Sequence, residues 1–345
     1  MSLANDYRPK DWSEMVGQNI TTTILNNICE AETISCRNFL FTGPSGVGKT
    51  SVSRLLANKL NGGEGEIIEV DAASHSGADS TREIVEQAKT YPIVGRYKTI
   101  ILDEVQAFSS QSWQVLLKVL EESPARTVFC LCTTNPEKIP KTITSRVQQF
   151  QLSKISLKGI EERIKYVLDS EIAKGRAITY NADGINFIAK TANGGMRDAL
   201  SLLDKVLVFS SDITSETVAT ALGLSSYDDY FALLNAVAKH DNTAITDIVD
   251  NIYNSGTNFV KWFEDFHSFL MNIVKYILLQ DIGRTMIPSH YEEKISKYNM
   301  NHYAVCLKLS NTLMIINKEL RGTNYLQETV LSRLCTVPPK PPASK

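Results

Sequence analysis

The chain is poor in cysteine, has no long apolar run and carries almost no net charge. Its six cysteines among 345 residues, Cys29, Cys36, Cys130, Cys132, Cys306 and Cys335, include no C-x-x-C pair, so the usual spacing of a structural zinc module is missing. Cys130 and Cys132 fall in the apolar run 128–132, where alternate residues of a strand share a face. Buried free thiols are the expected reading. No stretch approaches the ~20 apolar residues needed to span a bilayer. The start, MSLANDYRPKDW, has no basic segment followed by an apolar one, which argues against a signal peptide. A formal net charge of −2 excludes a globally basic surface, so any nucleic-acid contact must be local. No internal repeat or heptad run occurs. Together these absences lead us to expect a reduced, cytoplasmic protein with no membrane partner.

What is present suits a globular protein of some size. Hydrophobic residues make up 43% and charged residues 21% of the chain, enough for a large core. At roughly 100–200 residues per domain, two or three domains are expected.

The most informative stretch is residues 39–50. An apolar run, Phe39, Leu40 and Phe41, enters a glycine-rich turn, Gly43, Pro44, Ser45, Gly46, Val47 and Gly48, and passes through Lys49, Thr50 and Ser51 into a helix-compatible segment. This is G-x-x-x-x-G-K-[ST] in its required setting of strand, loop and helix. The glycines let backbone N–H groups point inward as an anion nest at a helix start. Lys49 can reach the β- and γ-phosphates, and the Thr50 hydroxyl can ligate Mg²⁺. A glycine-rich surface loop is the plain alternative, and it leaves Lys49 and Thr50 unexplained.

The N-terminal half alternates strand and helix signals. An amphipathic segment covers about 19–30. Apolar runs follow at 39–42, 67–70, 98–103, 127–135 and 147–152, separated by helical patterns at 51–60, from Ser80 onward, at 110–122 and at 140–145. Ser80 is a candidate helix cap with Glu83 at capping-box spacing. Continuous apolar strands alternating with helices imply a parallel five-stranded sheet covered on both faces. Ligands of such sheets collect at the carboxyl ends of the strands, where Gly43, Asp71, Asp103 and Thr134 fall. Beyond Ile155 the strand signal disappears, and helical patterns cover 158–174, 182–191, 196–209 and 214–222. Longer amphipathic helices run to about Leu334 and carry most of the later aromatics. The expected divisions are an α/β domain at 1–155, small all-α domains at 156–223 and 224–335, and a disordered proline-rich tail at 336–345.

Asp103 and Glu104 end a strand expected beside the one feeding the phosphate loop. Asp103 would hold the Mg²⁺ shell, and Glu104 would polarise the attacking water. In isolation, two such carboxylates read equally as solvated loop charges. Thr134 could bond the γ-phosphate or cap its own turn. Arg146 and Arg197 could each bring guanidinium to the γ-phosphate, in cis or in trans, or be surface charges.

Taken together these residues resemble an AAA+ ATPase. More specifically, the first ~223 residues are similar to the ATPase subunits of bacterial sliding-clamp loaders, the gamma/tau family of DNA polymerase III. The resemblance rests on Tyr7-Arg8-Pro9, Val16-Gly17-Gln18, the phosphate loop and Glu69-Val70-Asp71-Ala72-Ala73-Ser74. It continues through Ile101-Leu102-Asp103-Glu104-Val105, Leu116 to Glu122, Thr133-Thr134-Asn135-Pro136, Thr144-Ser145-Arg146 and Arg197-Asp198-Ala199-Leu200. It implies an AAA+ P-loop fold with a small helical lid and a C-terminal helical collar. ATP and Mg²⁺ would be the ligands, with Tyr7, Arg8, Val16 and Gly17 flanking the adenine. Thr134 would be sensor 1, Arg146 the finger offered to a neighbouring subunit, and Arg197 sensor 2. The implied partners are other loader subunits in a pentameric, probably hetero-oligomeric ring, a sliding clamp and primer–template DNA.

Several departures from the family matter. Where relatives carry a four-cysteine zinc module, Asn61–Glu66 is a tight turn without cysteine, so no zinc is expected. The finger motif reads Ser145-Arg146-Val147, and the chain stops after the collar. The DNA-tracking loop is less basic, and His75, Ser76, Arg82 and Ser110 are its DNA-contacting candidates, with a solvated loop an equal alternative. Two other functions stay open: a recombination or branch-migration motor, favoured by hexamers and a winged helix in 224–335, and a nucleotide-binding scaffold that does not hydrolyse.

Overall fold

A computed structural model describes residues 2–31, 34, 36–122, 124–223, 227–256, 258–288 and 291–336. The proline-rich tail lies outside the described residues apart from Thr336. In chain order the first elements are α1 (Leu3–Asp6), α2 (Asn19–Glu30), β1 (Asn38–Thr42), α3 (Lys49–Leu60), β2 (Ile67–Asp71), α4 (Ala78–Lys89) and β3 (Lys98–Asp103). Next come α5 (Ser110–Glu121), β4 (Thr127–Thr133), α6 (Lys141–Thr144), β5 (Gln148–Gln151), α7 (Leu157–Ala173), β6 (Thr179–Tyr180), α8 (Ala182–Thr191) and α9 (Met196–Phe209). The rest are β7 (Asp212–Ile213), α10 (Ser215–Ala221), α11 (Tyr227–Lys239), α12 (Asn242–Asn254), α13 (Phe259–Leu279), α14 (Glu292–Ile295), α15 (Met300–Leu320) and α16 (Leu326–Leu334). Contacts divide the chain into two compact units, residues 1–178 with 188–207, and residues 179–187 with 208–345.

In the first unit β1 to β5 form one sheet in the order β2-β3-β4-β1-β5, every pair parallel. The near-continuous apolar strands bury both faces, and their two-residue period sorts the side chains. Leu40, Ile100, Leu102, Phe129 and Leu131 pack with Ile84, Val85, Trp113 and Leu116 of α4 and α5. Phe39, Phe41, Ile101, Val128, Cys130 and Cys132 pack instead with Leu25, Val52, Leu55 and Leu56 of α2 and α3. Cys130 and Cys132 share a face, as the alternation predicts, and both are fully buried.

Three sequence expectations change. β3 is not beside β1, because β4 pairs with both and lies between them. The phosphate loop and the Asp103–Glu104 corner therefore meet across the tip of β4. The helix expected from Ser80 starts at Ala78, with Gly77 at its cap and no side-chain cap bond. Ser80 sits inside the first turn, so its capping role is lost. Strand structure also does not end at 155, since β6 and β7 form a short parallel pair. Two residues are too few to leave a period in the sequence.

The second unit is helical apart from β6 and β7. Along α13, Phe259, Trp262, Phe263, Phe266, Phe269, Leu270 and Ile273 are buried at three- and four-residue spacing, the apolar stripe of a helix packed on one side. That stripe faces α15, while α11 packs on α12 and α16 on both α12 and α15. Tyr230 and Trp262 rings meet edge-on at 4.9 Å, and Phe231 and Phe269 likewise at 4.9 Å. No described residue of 224–335 lies in a strand.

Candidate nucleotide site

The loop from Gly43 to Gly48 takes its shape from backbone freedom. Gly43 (φ 144°) lies so close to β5 that a Cβ would fall 2.3 Å from the Leu152 carbonyl oxygen, so only glycine fits. Gly46 (φ 74°) touches the start of α9, where Met196 N–H donates to its carbonyl at 2.9 Å. A Cβ there would lie 3.1 Å from Asp198 Oδ2. The loop is thus held between β5 and α9.

Lys49 opens α3 and is buried, and its Nζ donates to the carbonyls of Gly43 and Pro44, each at 2.9 Å. Burial lowers its proton affinity, and the nearby Glu104 carboxylate opposes that shift. Thr50 Oγ1 donates to Asp103 Oδ2 at 2.8 Å, so the two expected Mg²⁺ ligands are already in contact. That hydroxyl and carboxylate are both hard oxygen donors, which suits a Mg²⁺ shell. Glu104 follows Asp103 in the left-handed region (φ 50°, ψ 42°), a costly conformation for a side-chain-bearing residue. Its N–H donates to Asp103 Oδ1 at 2.9 Å.

Lys49, Thr50, Asp103 and Glu104 line one cleft together with Tyr7, Arg8, Val16, Ser45, Gly46, Val47, Gly48, Ser51 and Arg197. Gly43 and Pro44 support the cleft from beneath through Lys49. Gly17 (φ 76°) packs beside Ile155 rather than lining the opening. The Arg8 guanidinium is lowered by burial, then by nearby Arg54 and Arg197, with Glu69 opposing. Arg197 is exposed on the first turn of α9. Thr134 lies just past β4, and its Oγ1 is 3.1 Å from Glu104 Oε2.

Arg146 is not brought to this cleft. Its NH2 pairs with Glu121 Oε1 on α5 at 2.6 Å, and its NH1 donates to the Thr142 carbonyl at 2.7 Å. The DNA candidates gather elsewhere. The Ser76 carbonyl accepts from Ser112 Oγ at 2.7 Å and from Ser109 N–H at 3.2 Å, joining the starts of α4 and α5. Ser110 follows at the first position of α5, His75 Nδ1 lies 3.2 Å from the Asp71 carbonyl, and Arg82 pairs with Asp79.

The sequence reading missed two groups. Gln106, in a 3-10 turn (Val105–Ala107), bonds both Glu104 and Thr134. Its signal was only its place two residues beyond a pair of carboxylates. Glu171 on α7 accepts from Tyr7 Oη at 2.7 Å, Lys174 Nζ at 2.8 Å and Arg176 NH1 at 3.0 Å. These donors hold its carboxyl down at about 2, with Lys174 contributing most. Arg163 NH2 donates to the Tyr7 carbonyl at 2.9 Å, so α7 grips the segment beside the cleft at two points. Nothing local marks Glu171, whose partners come from residues 7, 174 and 176.

A parallel sheet in this strand order, with a phosphate loop, paired carboxylates at β3 and an arginine at the start of α9, defines an AAA+ P-loop protein. Three family models match the chain in order: "DNA polymerase III, delta subunit" over 64–156, "DNA polymerase III clamp loader subunit, ATPase lid domain" over 159–212, and "DNA polymerase III subunits gamma and tau domain III" over 213–308. The chain belongs to the clamp-loader family and is gamma/tau-like. It is 32% identical to the DNA polymerase III subunit tau of Bacillus subtilis (strain 168), across 97% of this chain and 63% of that one. It is 29% identical to the subunit gamma of Buchnera aphidicola from Acyrthosiphon pisum, across 92% and 93%. The chain thus spans less than two thirds of the Bacillus relative. Among solved structures, the Thermotoga maritima RuvB Holliday junction branch migration motor superposes with a TM-score of 0.52 at 20% identity, across 67% of this chain and 79% of that one. That likeness concerns the fold alone.

Proposed function

We propose that the chain is the ATPase subunit of a sliding-clamp loader acting in replication in the cytoplasm. The observation that carries this reading is the convergence of Lys49, Thr50, Asp103, Glu104 and Arg197 on one cleft in a clamp-loader family member. ATP would lie with its phosphates over the loop N–H groups of 45–51 and its base near Tyr7, Arg8, Val16 and Gly17. Lys49 Nζ would exchange the Gly43 and Pro44 carbonyls for phosphate oxygens. Thr50 and Asp103 would hold Mg²⁺, which when bound neutralises charge on the phosphate oxygens. Glu104 accepts the proton of a water whose oxygen bonds the γ-phosphorus, while the bond to the bridging oxygen breaks and ADP leaves with that electron pair. Thr134 orients the γ-phosphate or that water, and Arg197 reports bound nucleotide to the 156–223 lid.

Because Arg146 is tied to Glu121 rather than to its own cleft, it serves as a finger for the ATP of a neighbouring subunit. The active form is then a ring, pentameric in this reading, held by the 224–335 collar. ATP binding would favour an open clamp and a grip on primer–template DNA near His75, Ser76, Arg82 and Ser110, with backbone N–H groups at the two helix starts available to phosphates. Hydrolysis would release the closed clamp on DNA. ATP turnover measured with and without clamp and primed DNA tests this: stimulation by both is expected, and turnover indifferent to both overturns it.

A further inference from the structure

We propose that Gln106 is a positioning residue for Glu104, setting the orientation of its carboxylate from the tip of β4. The proposal rests on reading Glu104 as the base that takes a proton from water.

The carboxamide bridges two elements. Its Nε2 donates to Glu104 Oε2 and lies 3.2 Å from Thr134 Oγ1, while its Oε1 accepts from Thr133 Oγ1 at 2.6 Å. The direction of the amide is settled by hydroxyl bookkeeping. Thr133 Oγ1 already accepts the Asn135 N–H at 3.0 Å, so its single proton is available for Gln106 Oε1. With Oε1 thus turned toward Thr133, Nε2 must face Glu104 and Thr134. Thr133 is fully buried, and a hydroxyl there without its partner would be costly.

The backbone behind Gln106 is equally fixed. Val105 is fully buried, and the turn closes through Ala107 N–H to the Glu104 carbonyl at 2.9 Å and Phe108 N–H to the Val105 carbonyl at 3.1 Å. Glu104, by contrast, holds a strained backbone conformation and has a flexible side chain. The rigid partner therefore orients the flexible one. Both bonds fall on Oε2, from Gln106 and from Thr134, so Oε1 is the oxygen left to take a proton from water.

The arrangement also links Glu104 to what Thr134 touches. Thr134 Oγ1 has one proton and two acceptors in reach, Glu104 Oε2 at 3.1 Å and Asn135 Oδ1 at 2.9 Å. A phosphate oxygen competing for that proton would leave Gln106 as the donor that keeps the carboxylate in place. A misplacement of about 1 Å in a reacting group can cost on the order of a hundredfold in rate.

The test is ATP turnover and nucleotide affinity of the full chain, in the assembly where the wild type turns over fastest, for Gln106→Met, Gln106→Glu, Glu104→Gln and the double variant Gln106→Met/Glu104→Gln. Gln106→Met keeps the length and removes the bonds; kcat is expected to fall about tenfold or more while the Kd of a fluorescent ATP analogue stays within about twofold. Gln106→Glu keeps the acceptor for Thr133 but sets a second carboxylate against Glu104, and is expected to fall further. In the Glu104→Gln background, Gln106→Met should change residual turnover by less than about twofold, since it acts through Glu104. Wild-type kcat in both Gln106 variants, or the same proportional loss with and without Glu104, overturns the positioning role. Wild-type turnover by Glu104→Gln overturns the reading of the base itself, and the proposal with it.

Discussion

Thr50 Oγ1 lies 2.8 Å from Asp103 Oδ2, so the hydroxyl opening α3 donates to the carboxylate closing β3 across 53 positions of chain. A proton in that bond must turn away when a divalent ion enters between the two oxygens. Thr50→Val and Asp103→Asn each remove one oxygen ligand or its charge. Each variant is expected to lose about a hundredfold or more in ATP turnover, consistent with the several kcal/mol a bound metal supplies. The Mg²⁺ concentration for half-maximal turnover should rise. A Mg²⁺ titration midpoint equal to wild type in both variants would count against this pair as the metal site.

Arg146 should act on a cleft other than its own. Its loss to alanine is expected to lower kcat about a thousandfold in a ring made only of variant chains, the low end of what an arginine finger contributes. Nucleotide affinity of the isolated chain should stay unchanged. Mixtures of Arg146→Ala and Lys49→Ala chains should recover part of the activity, because one chain supplies the finger and the other an intact cleft. Recovery of nothing in such mixtures would refute transfer between subunits.

The tie between α7 and Tyr7 should hold at neutral pH and fail only in acid. The Glu171 carboxyl is held at about 2 in the folded chain against an unfolded value of 4.5, so its contribution is full above 4.5 and is lost as pH falls from there through 2. Glu171→Gln should destabilise the first unit by about 1–3 kcal/mol at pH 7, the cost of leaving buried donors without a carboxylate. Urea unfolding checks this, and the gap between variant and wild type should close as the pH drops toward 2. A gap independent of pH over that range would contradict the assignment.

The buried thiols should be inert. Burial pushes Cys132 up to about 12, with Ser53 Oγ at 3.4 Å opposing the shift, and pushes Cys130 higher than an ordinary thiol. Cys306 is likewise buried and pushed up to about 11. Thiolate is the reactive form, so an aromatic disulfide reagent at pH 8 should leave these three unmodified in the native protein and reach them only in denaturant. Rapid native labelling of Cys130 or Cys132, read by peptide mass, would show that the sheet opens.

Much of the first unit was legible because its signals are local and periodic. Each of the five apolar runs became a strand, and the alternation within 128–132 placed Cys130 and Cys132 on one face. Lys49 and Thr50 could be read from six preceding residues, since a glycine turn between strand and helix has few other uses. Ser80 misled because its capping-box spacing is real, yet a helix start also depends on what the preceding backbone does. Gly77 is extended there (φ −79°, ψ 157°) and lets the helix begin at Ala78. The misplacement of β3 beside β1 has a different origin. Strand order follows from which crossover connects which pair, and apolar content is alike in all the central strands.

By itself, the sequence determined the parallel sheet, the phosphate loop with its lysine and threonine, and the helical character of everything after β5, because periodic burial and glycine-dependent turns are written in neighbouring residues. Only the tertiary structure decided that β4 separates the loop from the carboxylates, that Gln106 and Thr134 hold Glu104, that Glu171 holds Tyr7, and that Arg146 rests on Glu121. Each of those is a contact made by side chains from separate elements. Their partners are chosen by how sheet and helices pack, and no spacing along the chain encodes that choice.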